Sequence, residues 1–72
     1  MPTIYSTVQL PESIDEEEAI SVLKEMSRKK GKYCFINLGS VKTVFAEPDG
    51  FVFTRFYRPT VEIQRDLIIC QP

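Results

Sequence analysis

The amino-acid sequence predicts an α+β domain in which one helix packs on a four- to five-stranded, mainly antiparallel sheet, in the order β-α-β-β-β-β. One segment has apolar residues at helical spacing, and five others are rich in β-branched and aromatic residues. Residues typical of tight turns separate the later segments. We expect residues 1–72 to form a single small domain, which at this length buries only about 60% of the surface its unfolded chain exposes.

The first predicted strand covers residues 3–10, with the sequence TIYSTVQL. Apolar Ile4, Val8 and Leu10 alternate with more polar residues, and Pro11 ends the segment. This alternation is typical of a half-buried strand.

The predicted helix runs from about Asp15 to Lys30. Asp15 is suited to be its N-cap with Glu18 at the third helical position, and Gly31 is suited to be its left-handed C-cap. Acidic residues fill the first turn and basic residues the last, which complements the helix dipole. One apolar stripe lies along the helix, so we expect it to pack on a single side; the stripe contains Ala19, Ile20, Val22, Leu23 and Met26.

Four further strands are predicted after the helix, with the sequences KYCFINL, VKTVFAE, FVFTRFYR and VEIQRDLII. Their separators contain residues that favour tight turns, so consecutive strands are expected to form hairpins. The three separators are Gly39-Ser40, Pro48-Asp49-Gly50 and Pro59-Thr60.

Residues that flank a tight hairpin turn point to the same face of the sheet, which allows the two faces to be assigned. The expected pairs are Leu38 with Val41, Glu47 with Phe51, and Arg58 with Val61. One face then carries Cys34, Ile36, Leu38, Val41, Thr43, Phe45, Phe51, Phe53, Arg55, Tyr57, Glu62 and Gln64. The other carries Tyr33, Phe35, Val44, Ala46, Val52, Phe56, Val61 and Ile63.

The last strand indicates which face the helix covers, because Val61 and Ile63 favour burial. We expect the helix on their face, together with Val44 and Val52. The opposite face keeps a large apolar patch with no second helix to cover it, which indicates an interface. That patch contains Ile36, Phe45, Phe51, Phe53 and Tyr57. In an alternative fold, the strands curl into a small, partly closed barrel and these rings fill its interior.

The charge of the chain is close to balanced, with a net charge of −1 and a sequence pI near 5.3. This balance argues against a strongly nucleic-acid-binding domain. The sequence has neither a membrane-length apolar run nor a signal-peptide pattern. Its cysteines, Cys34 and Cys70, are too few and too far apart for a disulfide scaffold or a C-x-x-C motif, which fits a reducing compartment. Under oxidation, Cys70 could pair with Cys34 or with another chain. We therefore expect a cytoplasmic protein with no membrane partner.

Little in the sequence indicates catalysis, because the chain contains no histidine and hence no histidine general base or Ser-His or Cys-His pair. Cys34 beside Lys32 is the remaining candidate nucleophile, although a cysteine in an apolar strand is usually a core residue. The acidic run that begins at Asp15 is explained by helix capping rather than by a metal site. We expect no enzyme activity, no cofactor and no metal.

The function predicted from the sequence is a non-enzymatic protein-interaction module, a small homodimer or an adaptor or regulatory protein, that uses the aromatic sheet face. Its expected anchors are Phe45, Phe51, Phe53, Arg55 and Tyr57, because aromatic and arginine side chains concentrate interface energy. The alternative is a single-stranded nucleic-acid-binding protein that stacks bases on the same strand. The expected contacts to phosphates or an acidic partner are Lys29, Lys30, Lys32 and Arg58.

Overall fold

The computed structural model describes residues 6–38, 42–56 and 66–71, which contain one helix and a five-stranded antiparallel sheet. The predicted α+β class and the chain order are confirmed. The elements are β1 Ser6–Gln9, α1 Glu16–Lys30, β2 Cys34–Leu38, β3 Lys42–Ala46, β4 Val52–Phe56 and β5 Leu67–Cys70.

Helix α1 begins and ends at the predicted residues. The Asp15 Oδ1 accepts a hydrogen bond from the Glu18 amide at 2.8 Å, and Gly31 ends the helix in the left-handed conformation with φ of 62°. Ala19 and Leu23 of the apolar stripe are fully buried. Within the described residues, α1 is too short and too polar to cross a membrane.

Ser27 is a buried helical residue that the sequence did not single out. Its hydroxyl lies 2.6 Å from the Lys32 carbonyl oxygen and 3.0 Å from the Ala46 carbonyl oxygen, and it donates toward both. One hydroxyl proton is therefore shared between the loop after the helix and strand β3. This contact fastens the C-terminal end of α1 to the sheet.

Among the described strands the order in the sheet is β1-β5-β2-β3-β4, so β1 and β4 are the edges of the described sheet, which does not close into a barrel. The last strand does not extend a simple meander, because β5 pairs with β1 and β2. A run of four apolar residues, from Leu67 to Cys70, favours a central position with both faces covered. The predicted Arg58–Val61 pair lies outside the described residues.

The predicted register between β2 and β3 is wrong by one residue. Leu38 pairs with Lys42 rather than with Val41, so three residues separate the paired positions. The shift turns Ile36 to the face that α1 covers and Phe35 to the opposite face.

The predicted register between β3 and β4 is correct. The Glu47 amide donates to the Phe51 carbonyl oxygen at 2.8 Å, and Ala46 pairs with Val52. Val44 and Val52 lie on the helix-covered face as predicted, with Val44 fully buried and Val52 packed against the core. Val61 and Ile63 lie outside the described residues.

Strand β1 is more exposed than its alternation predicts. All four of its residues are exposed, including Val8 at 39%, and apolar burial begins only at Leu10. The reason is its place at the edge of the sheet, whereas α1 packs on β2 and β3. The expectation of a half-buried strand is therefore wrong for β1.

Cys34 and Cys70 form a disulfide that joins β2 to β5. The two residues lie directly opposite each other in the strand pairing, and both are fully buried. The two cysteines are 36 residues apart along the chain, so no local sequence pattern indicates that they are in contact. The cysteines therefore no longer support the expectation of a reducing compartment.

Candidate interaction surface

Phenylalanine side chains form a continuous row on the face of the sheet opposite α1. Phe35, Phe45 and Phe53 occupy paired positions on β2, β3 and β4. The ring centroids of Phe35 and Phe45 are 5.5 Å apart, and those of Phe45 and Phe53 are 5.1 Å apart in a stacked arrangement. Phe51 extends the row with its ring 5.9 Å from that of Phe53. These four residues are called the phenylalanine row below.

The phenylalanine row is incompletely covered within the part of the chain that the structure describes. Phe51 is 57% exposed, and the other three rings are only half-buried. The rings shield one another along the row because each lies within aromatic contact distance of the next. Because apolar patches of this kind are uncommon on small domains, the row is a candidate binding surface.

Arg55 adds a cation to the β4 end of the row. Its guanidinium carbon lies 5.6 Å from the centre of the Phe53 ring, which is the distance of a cation–π contact. Arg55 itself is exposed, so its remaining donors face solvent. An exposed arginine packed on an aromatic ring is the residue combination that concentrates binding energy at protein interfaces.

A tyrosine–glutamate pair lies beside the row, with Tyr33 two residues before Phe35 and Glu47 two residues after Phe45. The Tyr33 hydroxyl donates a hydrogen bond to the Glu47 Oε1 at 2.8 Å. This bond and the negative charge of Glu47 raise the pKa of Tyr33 above its usual value of 10.0. The Glu47 carboxylate at this end of the surface therefore already accepts a hydrogen bond from Tyr33 of the same chain.

We expect Glu47→Gln to lower the pKa of Tyr33 toward its usual value, because the phenolate would no longer form beside a carboxylate. The hydrogen bond contributes stability that is present below pH of about 10 and is lost as the pH rises through the raised pKa of the folded protein. An NMR titration of the Tyr33 ring carbons in both proteins measures the difference. Identical titration curves would contradict the pairing.

The structure brings four of the five predicted anchors together. Phe45, Phe51 and Phe53 belong to the phenylalanine row with Arg55 beside it, and Tyr57 lies outside the described residues. The prediction that Ile36 lies on this face is wrong, because it is fully buried on the face covered by α1. Phe35 was assigned to the wrong face by the same one-residue shift.

The basic residues proposed as phosphate contacts lie apart from the phenylalanine row. Lys29 and Lys30 are exposed in the last turn of α1, which covers the other face of the sheet, and Lys32 follows the helix. Glu25 lies 4.0 Å from the Lys29 ammonium nitrogen and pairs with a neighbouring arginine of the helix. Arg58 lies outside the described residues. Arg55 is thus the basic side chain that the described structure places against the rings.

The one candidate nucleophile has a structural role instead. Cys34 is bonded to Cys70 and fully buried, so it offers no thiolate to a substrate. The phenylalanine row with Arg55 is therefore the best candidate for a functional surface in the described structure. No family model, curated protein or solved structure matches this chain.

Proposed function

We propose that this chain is a non-enzymatic protein-interaction module that binds a second copy of itself through the phenylalanine row and Arg55. The observation that supports the proposal is the row itself, four rings whose neighbouring centroids are 5.1–5.9 Å apart on the face opposite α1. Burying such rings against a partner removes apolar surface from water at roughly 25 cal/mol per Å².

A second copy is favoured as the partner by the small size and the charge of this surface. A 72-residue chain has a limited core, and association in a two-fold dimer buries apolar area that the monomer cannot cover. Among the described residues, one cation, Arg55, lies beside the rings. Two carboxylates also lie there, Glu47, which Tyr33 already hydrogen-bonds, and Asp49, which accepts from the Phe51 amide. A surface with so few charges can meet its own copy without large electrostatic repulsion.

Single-stranded nucleic acid is a weaker candidate because it requires cations along the path of the phosphates as well as stacking rings. The described lysines at the end of α1 are not beside the phenylalanine row, and the net charge of the chain is −1. We expect no binding of a fluorescently labelled single strand at about 50 mM salt. Affinity that falls steeply as salt rises would instead favour the nucleic-acid function.

We expect Phe53→Lys to weaken self-association by about 30-fold, since loss of an interface hot spot costs roughly 2 kcal/mol. The substitution would remove the ring that lies between Phe45 and Phe51 in the row. It would also place a second positive charge beside Arg55. Sedimentation equilibrium or light scattering across micromolar concentrations measures the dimerisation constant.

Val8→Lys is the matched control, because Val8 is also an exposed apolar strand residue but lies on the opposite edge of the sheet. It is expected to dimerise like the wild type. A wild-type protein that stays monomeric over the whole concentration range would refute self-association.

A further inference from the structure

We infer that the second copy binds along the outer edge of β4, so that the two β4 strands pair antiparallel about a two-fold axis at Thr54. This inference rests on the proposed function, in which the partner is a second copy. It places the contact at Phe53 and Arg55, the β4 end of the phenylalanine row, rather than over the whole row, and it gives the register of the second copy. The product is one continuous sheet with both copies of α1 on the same side.

The backbone of β4 has the hydrogen-bonding groups that this pairing needs. Among the described strands β4 pairs with β3 alone. The Glu47 amide donates to Phe51, and hydrogen-bonding direction alternates along a strand. The amide and carbonyl groups of Phe53 therefore point to β3, and those of Thr54 point outward. An edge with outward-facing groups is a template for another strand.

The side chains of β4 are complementary to themselves in this register. With Thr54 on the axis, Phe53 lies opposite Arg55 of the second copy and Val52 lies opposite Phe56 of the second copy. Arg55 already packs on the Phe53 ring of its own chain at 5.6 Å, so its other side is available to a second ring. Cross-strand neighbours of this kind stabilise paired strands.

Phe56 distinguishes edge pairing from packing of the phenylalanine rows face to face. It is 74% exposed, more than any other large apolar residue of the described chain. By alternation it lies on the side of the sheet that carries α1, beyond the strands that the helix covers. Face-to-face packing would leave this ring in water, whereas edge pairing places it against Val52 of the second copy.

The described part of the opposite edge, strand β1, lacks these features. Strand β1 has four residues, Ser6–Gln9, and Val8 is its one apolar side chain. It provides no ring and no cation for a second copy. Strand β4 is therefore the edge that we expect to pair with a second copy.

Charge substitutions at Thr54 test the position of the axis. On a two-fold axis, Thr54→Glu places two carboxylates opposite each other and Thr54→Lys two ammonium groups, and juxtaposed like charges weaken association. Each variant alone is expected to dimerise at least about tenfold more weakly than the wild type. An equal mixture is expected to recover dimers, because glutamate then faces lysine. Sedimentation equilibrium measures each sample.

Two further variants separate pairing from folding. Thr54→Pro removes the outward amide without removing a hydrogen bond to β3, so a folded monomer is expected. Thr54→Val keeps that amide and is expected to dimerise like the wild type. Unfolding curves for all four variants show whether the monomer fold persists.

The outcomes distinguish the two proposals. If Phe53→Lys abolishes the dimer but neither charge at Thr54 weakens it, edge pairing is overturned and self-association through the phenylalanine row stands. The same conclusion follows if both charged variants are weak and their mixture shows no recovery. If the wild type is a monomer, the proposed function fails and edge pairing fails with it.

Discussion

Reduction of the Cys34–Cys70 bridge is expected to lower the free energy of unfolding by about 4 kcal/mol. The bridge closes a loop across a separation of 36 residues, and the chain-entropy relation assigns a loop of that length roughly this stabilisation. A domain of 72 residues has a total stability of roughly 4 to 11 kcal/mol. Loss of the bridge therefore removes a large part of the stability and leaves the reduced protein near its unfolding threshold.

The bridge also stabilises a pairing that the chain must form over a long distance. It joins β2 to β5, which is inserted between β1 and β2. Long-range pairings require loop closure before their contacts are gained. In the unfolded chain, the cross-link keeps β5 close to β2 and so reduces the conformational entropy lost when β5 pairs.

Urea unfolding of the oxidised and the reduced protein measures the expected change. Both sulfur atoms are fully buried, so reduction is carried out in denaturant before refolding in the presence of reductant. The Cys34→Ala/Cys70→Ala variant is the control, because added reductant should leave its unfolding midpoint unchanged. A difference of less than about 1 kcal/mol between the oxidised and reduced wild type would show that the bridge does not act through the loop it closes.

The helix was predictable from the sequence because its signals are local. Asp15, Glu18 and Gly31 act within one turn of the helix ends, and the structure places them in the predicted caps. The β3–β4 hairpin was predictable for the same reason. Asp49 Oδ1 accepts from the Phe51 amide within the turn, so a short segment fixes the pairing of the strands on either side.

The place of β5 and the bridge was not predictable, because no local signal specifies which strands a central strand joins. An apolar segment from Leu67 to Cys70 indicates burial on both faces, but several sheet orders satisfy that condition. The contact between Cys34 and Cys70 depends on this order. The phenylalanine row was predicted in part, since Phe45 lies on β3, Phe53 lies on β4 and Phe51 directly precedes β4, and the register between these strands was correct.

The one-residue shift between β2 and β3 shows why the apolar pattern alone did not assign the side chains of β2 to the correct faces of the sheet. Its sequence CFINL has large apolar residues at adjacent positions, so either Phe35 or Ile36 is a plausible core residue. The assignment then depends wholly on the loop that follows. Because three residues rather than two separate the paired positions Leu38 and Lys42, the side chains of β2 are reversed.

We expect Ile36→Ala to lower the free energy of unfolding by about 2 to 5 kcal/mol, the usual cost of truncating a buried isoleucine. Ile36 is fully buried and pairs with Val44 on one side and Ile68 on the other, so little backbone movement can fill the cavity. Urea unfolding of the oxidised protein measures this change.

Phe35→Ala is the matched comparison, one residue away on the same strand. Phe35 is half-buried on the face opposite α1, and its truncation removes a ring contact with Phe45 without opening a closed cavity under the helix. We expect a smaller loss of monomer stability, about 1 to 2 kcal/mol. The register predicted from the sequence requires the opposite order, with Phe35 beneath the helix and Ile36 in water. A larger stability loss for Phe35→Ala than for Ile36→Ala would therefore refute the register of β2 and, with it, the continuity of the row from Phe35 to Phe53.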